Sequence, residues 1–349
     1  MKLPVKIAAS LVVTSACVFY ALRGVDRAQV MAELHHLTAA AVLMYFGTLA
    51  LTHTFRTWRW GFLLRPLGVK VPFRRLLPMS SVGFMAILVL PLRLGEFVRP
   101  YYAARAEKVR MSAALGTVAV ERIIDGLCIS ILFFGAYLVS AGELFPAELR
   151  VAAWLSLCGF VGLTAFLALA LVRTETAIAL FLKLSLISTL APQRAEPVAE
   201  RIRSVISGFR VLGDGRNLAL FLAHTIAYWG CNGLGMWLLA RQMGLPISVG
   251  AAFATMAFTG VVLSLPNAPG LVGQFHAGIK LALMAYLPAA VVNTKGFAYA
   301  IVLHGLQTLW YISAGMLALP FCAGKSESLG DVLRHSKEAA DHPEAQLAE

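Results

Sequence analysis

The 349 residues are 59% hydrophobic and 14% charged, with mean hydropathy +0.74, whereas soluble domains average about 45–50% apolar and about 25% charged. This excludes an ordinary soluble enzyme and predicts an all-α, polytopic integral membrane protein of about eight spans. A net charge of +12 would suit nucleic acid in a soluble chain, but in a membrane protein it places Lys and Arg in cytoplasmic loops or at a basic lipid-headgroup site, so no nucleic-acid partner is expected.

In chain order, Lys2 and Lys6 precede the apolar run 7–22. No small-residue cleavage site follows, so it reads as an uncleaved first span with a cytoplasmic N-terminus, followed by a loop over 23–36. A second span covers about 37–55 and ends in HTFRTWRW. There Trp58 and Trp60 suit the interface, and Arg56 and Arg59 suit the cytoplasmic side. From Arg56 to Arg110, eleven Lys or Arg face only Glu96 and Glu107. Inside that basic stretch, the apolar piece 76–90 is short for a span and stops at Pro91, as in a re-entrant or broken helix.

Further spans are predicted at about 112–140 and 151–172. Segment 173–216 carries seven basic and four acidic residues and reads as a cytoplasmic linker. Within it, Val198, Ile202, Val205, Ile206 and Phe209 fall on one helical face, for an amphipathic helix lying on the membrane or docked on the protein. Apolar segments near 217–240, 248–265, 271–287 and 296–321 form a second half. The expected organisation is one transmembrane domain, 1–321, with halves 1–172 and 217–321 about the linker, and a disordered tail, 322–349.

An internal echo relates the halves. Residues 90–95 read LPLRLG and 265–270 read LPNAPG, both L-P-x-x-x-G, each closing an apolar segment with its own glycine, Gly83 or Gly260. Paired interrupted segments point to an inverted repeat with a binding site between its halves. Gly83, Gly95, Gly260 and Gly270 would permit the breaks, and Pro91, Pro266, Pro269 and Gly273 mark the turns.

Charge gathers beside these breaks. Arg93, Glu96 and Arg99 follow the first, and Glu121, Arg122 and Asp125 sit inside the next span. One charge at the centre of a membrane helix costs roughly 2.5–3.5 kcal/mol. Glu121 and Asp125 share a face at i,i+4, and Arg122 reaches Asp125 at i,i+3. Two readings stand: a buried salt-bridge cluster, or a charged patch on a hydrated cavity. Asn267, Gln274, His276 and Lys280 follow the second break, where Lys280 either binds a ligand or snorkels to an interface.

Enzymatic signatures are missing: no G-x-S-x-G, H-E-x-x-H, P-loop or dinucleotide fingerprint occurs. The five cysteines have no metal-ligand spacing. No catalytic residue, metal or cofactor is therefore expected.

The motifs R-x-G-E-x-x-R (Arg93, Gly95, Glu96, Arg99), E-R-x-x-D (Glu121, Arg122, Asp125) and P-x-x-P-G-x-x-G (Pro266, Pro269, Gly270, Gly273) together resemble the lysylphosphatidylglycerol synthase transmembrane-region family, also called flippase-like membrane proteins. The resemblance covers most of 1–321. Members resemble the lipid-translocating half of the multiple peptide resistance factor, which handles aminoacylated phosphatidylglycerol. It implies a membrane lipid, phospholipid or lipid-linked, as substrate. The soluble aminoacyl-transferase half has no counterpart, so a complete synthase is not expected. Where the family commonly carries an acidic residue, this sequence has His276, which shifts the expected headgroup.

The reading is a plasma-membrane lipid transporter that receives an anionic or zwitterionic headgroup in a central cavity. Arg93, Arg99, Arg122 and Lys280 would hold the phosphate, with Glu96, Glu121 and Asp125 balancing them and Asn267, Gln274 and His276 alongside. The alternatives are a non-transporting scaffold that serves a separate lipid-modifying enzyme, and a lipid-modifying enzyme itself.

Overall fold

The computed structural model describes residues 3–35, 37–107, 109–139, 147–185, 187–190, 192–208, 213–264 and 269–322. Asn267 and Pro266, and the tail from residue 323 on, lie outside the described residues. Among those described there is no strand. The helices are α1 Leu3–Leu22, α2 Arg27–His35, α3 Ala39–Leu64, α4 Phe73–Val89, α5 Val98–Glu107, α6 Met111–Val139, α7 Ala147–Val172, α8 Thr174–Leu184, α9 Ile187–Leu190, α10 Ala195–Gly208, α11 Gly215–Gln242, α12 Val249–Val262, α13 Gln274–Leu283, α14 Ala289–Val291 and α15 Phe297–Cys322.

Several helix ends follow from local chemistry. Thr38, Asp214 and Ser248 cap α3, α11 and α12 by accepting from the backbone N–H three residues on, at 3.2, 3.1 and 3.1 Å. Pro91 forces Leu90 out of the helical region, to φ −92° and ψ 139°, and so ends α4. A 3-10 turn, Pro91–Phe97, then leads into α5. The second break is made differently: Gly270 and Gly273 adopt φ +73° and +83°, which favours glycine.

By length and apolarity alone, Arg150–Val172 and Ala289–Cys322 qualify as spans, and Arg27–His35 with Ala39–Leu67, bent by 85°, forms a third candidate. Helices α6 and α11, at 29 and 28 residues, exceed the ~20 residues a span requires but interrupt their apolar runs with polar or ionised side chains.

The helices form two units that run in opposite directions. Along α3 and α11, Thr48 meets Gly235, Arg59 meets Thr225, and Arg65 meets Asn217, so the two are antiparallel. Exchanging α3 with α11, α4 with α12, α5 with α13 and α6 with α15 carries the α4–α15 packing into α12–α6, and α5–α6 into α13–α15. Each unit thus has a broken hairpin, α4–α5 or α12–α13, inserted between two long helices. This is an inverted repeat in which the first arm of each hairpin, α4 or α12, packs against the other unit's terminal helix and the second arm, α5 or α13, against its own.

Three expectations change. The loop predicted over 23–36 contains α2. The second span, expected to stop near 55, continues to Leu64, because Arg59 is neutralised inside the bundle and does not emerge at a surface. Cys322, expected in the tail, is the last residue of α15. The amphipathic helix is α10, with Ala199 and Ile206 buried against α6 and α8, which favours the docked alternative. Val205 and Phe209 have no described side chains.

Candidate functional site

Helices α3, α5 and α6 converge on a sealed ion network. Glu121 has no exposed surface and accepts two hydrogen bonds from Arg99, at 2.9 and 3.1 Å. It also pairs with Arg59 at 3.2 Å and with Arg122. Arg59, likewise buried, grips Asp125 with both terminal nitrogens, at 2.5 and 2.7 Å. Trp229 Nε1 donates to the same carboxylate at 3.2 Å. Bidentate, charge-assisted bonds of this kind are the strongest polar contacts available to a buried carboxylate. The Arg99 guanidinium lies between the rings of Trp60 and Phe84, 5.0 and 5.1 Å from their centroids. It can cross α4 there because residue 83 is glycine; any Cβ would collide with it. Gly83 is therefore a packing requirement within α4 and does not break it. Gly260 likewise sits inside α12, facing Ile129, and Gly95 lets the 3-10 turn lie against the α4 backbone.

In front of this network is a cavity of about 200 Å³ walled by both repeat units. Arg122 and Glu96 reach it from the sealed cluster; their side chains are 32% and 18% exposed and 3.8 Å apart. Arg56 joins them from α3. Its guanidinium stacks on Phe84 at 3.9 Å, and its Nε has no hydrogen-bond partner among the described residues. Arg56 and Arg59 share the ring of Tyr228, at 5.7 and 4.5 Å. Across this centre, Arg56, Arg59, Arg99 and Arg122 outnumber Glu96, Glu121 and Asp125 by one positive charge. The second unit supplies a mainly neutral wall, including Trp229, Asn232, Thr259, His304, Gln307 and Tyr311. His304 Nε2 donates to the Gly270 carbonyl at 2.8 Å, and Gln307 donates to Tyr45 at 2.8 Å, so both polar groups are held in place.

The predicted site residues divide accordingly. Glu96 and Arg122 line the cavity, while Arg99, Glu121 and Asp125 stand behind it as buried partners. Both terminal nitrogens of Arg99, expected to hold a phosphate, are bonded to Glu121 here. The side chain of Arg93 lies outside the described residues. Lys280 is 1% exposed and lies outside the cavity lining. Its ammonium donates to the carbonyls of Ala21 at 3.2 Å and Arg23 at 2.5 Å, capping the negative end of α1. Gln274 is fully buried and His276 packs on His304 at 4.9 Å, both outside the cavity lining.

Sequence reasoning missed Arg56 and Arg59, which read as positive-inside charges. Nothing beside them in the sequence signals this; the carboxylates of Glu121 and Asp125 called for cations from elsewhere in the chain. Of the two, Arg59 meets both carboxylates.

The model of the lysylphosphatidylglycerol synthase TM region matches residues 7–315. The chain belongs to that family. It is a membrane protein. A UPF0104 membrane protein of Methanocaldococcus jannaschii is 26% identical over 148 residues, 40% of this chain. The match spans 44% of that relative's length. No solved structure matches the chain.

Proposed function

We propose that the protein binds the polar headgroup of an anionic or zwitterionic lipid in the central cavity and moves it between leaflets of the plasma membrane, with the N-terminus cytoplasmic. The observation that carries this reading is the excess cation at the cavity wall. Arg56 and Arg122 present guanidinium groups to a space between two broken hairpins of opposite orientation, where a phosphate would complete the charge balance. Glu96 sits beside Arg122 and would release it to the ligand or meet a cationic headgroup. The neutral polar wall from α11, α12 and α15 would contact the remainder of the headgroup. In this reading the protein has no catalytic step of its own, and a separate enzyme would make or consume the lipid.

The sealing of Arg99, Glu121 and Asp125 favours a second reading, in which the ion network only ties the first hairpin to α3 and α6 and the protein serves as a scaffold. Proteoliposomes separate the two. Fluorescent phosphatidylglycerol placed in one leaflet becomes accessible to an impermeant quencher from the other side if the protein moves it. Arg56→Gln, which leaves every ion pair of the network intact, is expected to slow that movement strongly at unchanged thermal stability. Equal movement in wild type, Arg56→Gln and protein-free vesicles supports the scaffold.

A further inference from the structure

A second basic recess lies apart from the cavity, where the start of α4, the end of α5 and the end of α15 meet. Its volume is about 570 Å³, and Arg74, Arg75 and Arg105 line it with Tyr102, Phe321 and Cys322. The placement of its charge is unusual. Arg74 and Arg75 occupy the first turn of α4, which contains no acidic residue. Cations there oppose the positive end of the helix dipole, whereas an anion would be stabilised. Among the described residues one carboxylate, Glu107, approaches Arg75 at 3.2 Å, so Arg74 and Arg75 together keep an excess of positive charge at this helix start. Arg105 also donates to the Tyr101 hydroxyl at 3.2 Å.

The depth of this recess is marked by aromatics. Trp58 is 45% exposed and packs on Phe73, the residue before Arg74, with centroids 5.2 Å apart. Exposed tryptophan beside arginine is the signature of the headgroup level of a bilayer. From the same recess an apolar strip runs along α15: Phe321 is 80% exposed and Leu317, one turn back, 75%. A basic pocket at headgroup depth that continues into an exposed apolar strip matches a phosphate with acyl chains attached better than a free anion.

We propose that this recess is a binding site for an anionic phospholipid, with the phosphate among Arg74, Arg75 and Arg105 and an acyl chain along Leu317 and Phe321. The bound lipid would bridge both arms of the first broken hairpin to α15 of the other repeat unit. The site does not depend on what the central cavity carries.

Native mass spectrometry of the full-length, delipidated protein titrated with phosphatidylglycerol tests this. Each arginine near an anionic surface contributes about fivefold in affinity. Single Gln substitutions at Arg74 or Arg75 should therefore weaken one class of bound lipid by about that factor, and Arg74→Gln/Arg75→Gln/Arg105→Gln should remove it. The corresponding triple Lys variant should retain it, and Arg56→Gln should leave this class untouched while affecting any lipid held in the cavity. Phosphatidylcholine should bind this class more weakly, and millimolar inorganic phosphate should not displace the phosphatidylglycerol. Unchanged lipid retention in the triple Gln variant, or displacement by inorganic phosphate alone, would overturn the proposal.

Discussion

The two broken hairpins occupy equivalent places in the repeat, yet they handle buried charge in opposite ways. After the first break, α5 carries Arg99, which is fully buried and bound to a carboxylate of α6. After the second, α13 carries Lys280, nearly as buried, bound to backbone carbonyls at and just past the end of α1 and set over the Tyr20 ring. One cation belongs to an ion network that opens onto the cavity through Arg122 and Glu96; the other closes a helix end. The backbone is thus nearly symmetric and its charge is not. A headgroup bound as proposed between the hairpins would meet cations from the first unit and neutral polar groups from the second.

That contrast sets the order of expected effects. The largest should come from Glu121→Ala, which leaves Arg99 and Arg59 without their shared carboxylate inside the bundle. Removing one partner of a buried pair costs about 3–5 kcal/mol, so the detergent-solubilised protein should lose its monodisperse peak at temperatures the wild type survives. Lys280→Met should cost less, about 1–3 kcal/mol, because it strands carbonyls without stranding a charge; a melting curve should place it between Glu121→Ala and wild type. If the two variants melt alike, the hairpins are not different in kind.

Gly83→Ala tests the first hairpin by volume alone. The added methyl must displace Arg99, and overpacking of this type costs about 1–3 kcal/mol. A melting temperature equal to wild type would mean that Arg99 has room to move and that the network is looser than its geometry implies.

The smallest effect is expected at an ion cluster on the solvent side of α10. Arg203 on α10 pairs with Glu175, Glu196 and Glu200 at 2.7–2.9 Å, as many carboxylates as the buried centre has, but in solvent. Hydrogen bonding to Arg203 holds Glu175 below its ordinary carboxylate range. Any stabilisation is therefore present above that range and lost as pH falls through the lowered value. Water screens such pairs, so Arg203→Gln should leave the neutral-pH melting temperature where it was.

Much of this was legible in the sequence. The Pro91 break, the turn glycines Gly270 and Gly273 and the E-R-x-x-D helix all announced themselves, because proline and glycine geometry and charge in an apolar run are local signals. The partners of that charge were not legible. Arg59 and Asp125 are 66 residues apart, and nothing near Arg59 distinguishes a buried guanidinium from a loop charge. Lys280 failed for the same reason in reverse: its ligands are carbonyls of α1, which every residue possesses and no side-chain pattern reveals. Gly83 looked like a hinge, though its neighbour across the fold made it a slot for Arg99.

The central claim is that the cavity at Arg56 and Arg122 receives a lipid headgroup. An electron cryomicroscopy map of the protein in nanodiscs containing phosphatidylglycerol tests it most directly. The expected result is phosphate density within hydrogen-bond reach of Arg56 or Arg122, with chains leaving between the hairpins. Ordered lipid confined to the outer surface, with only water in the cavity, would contradict it.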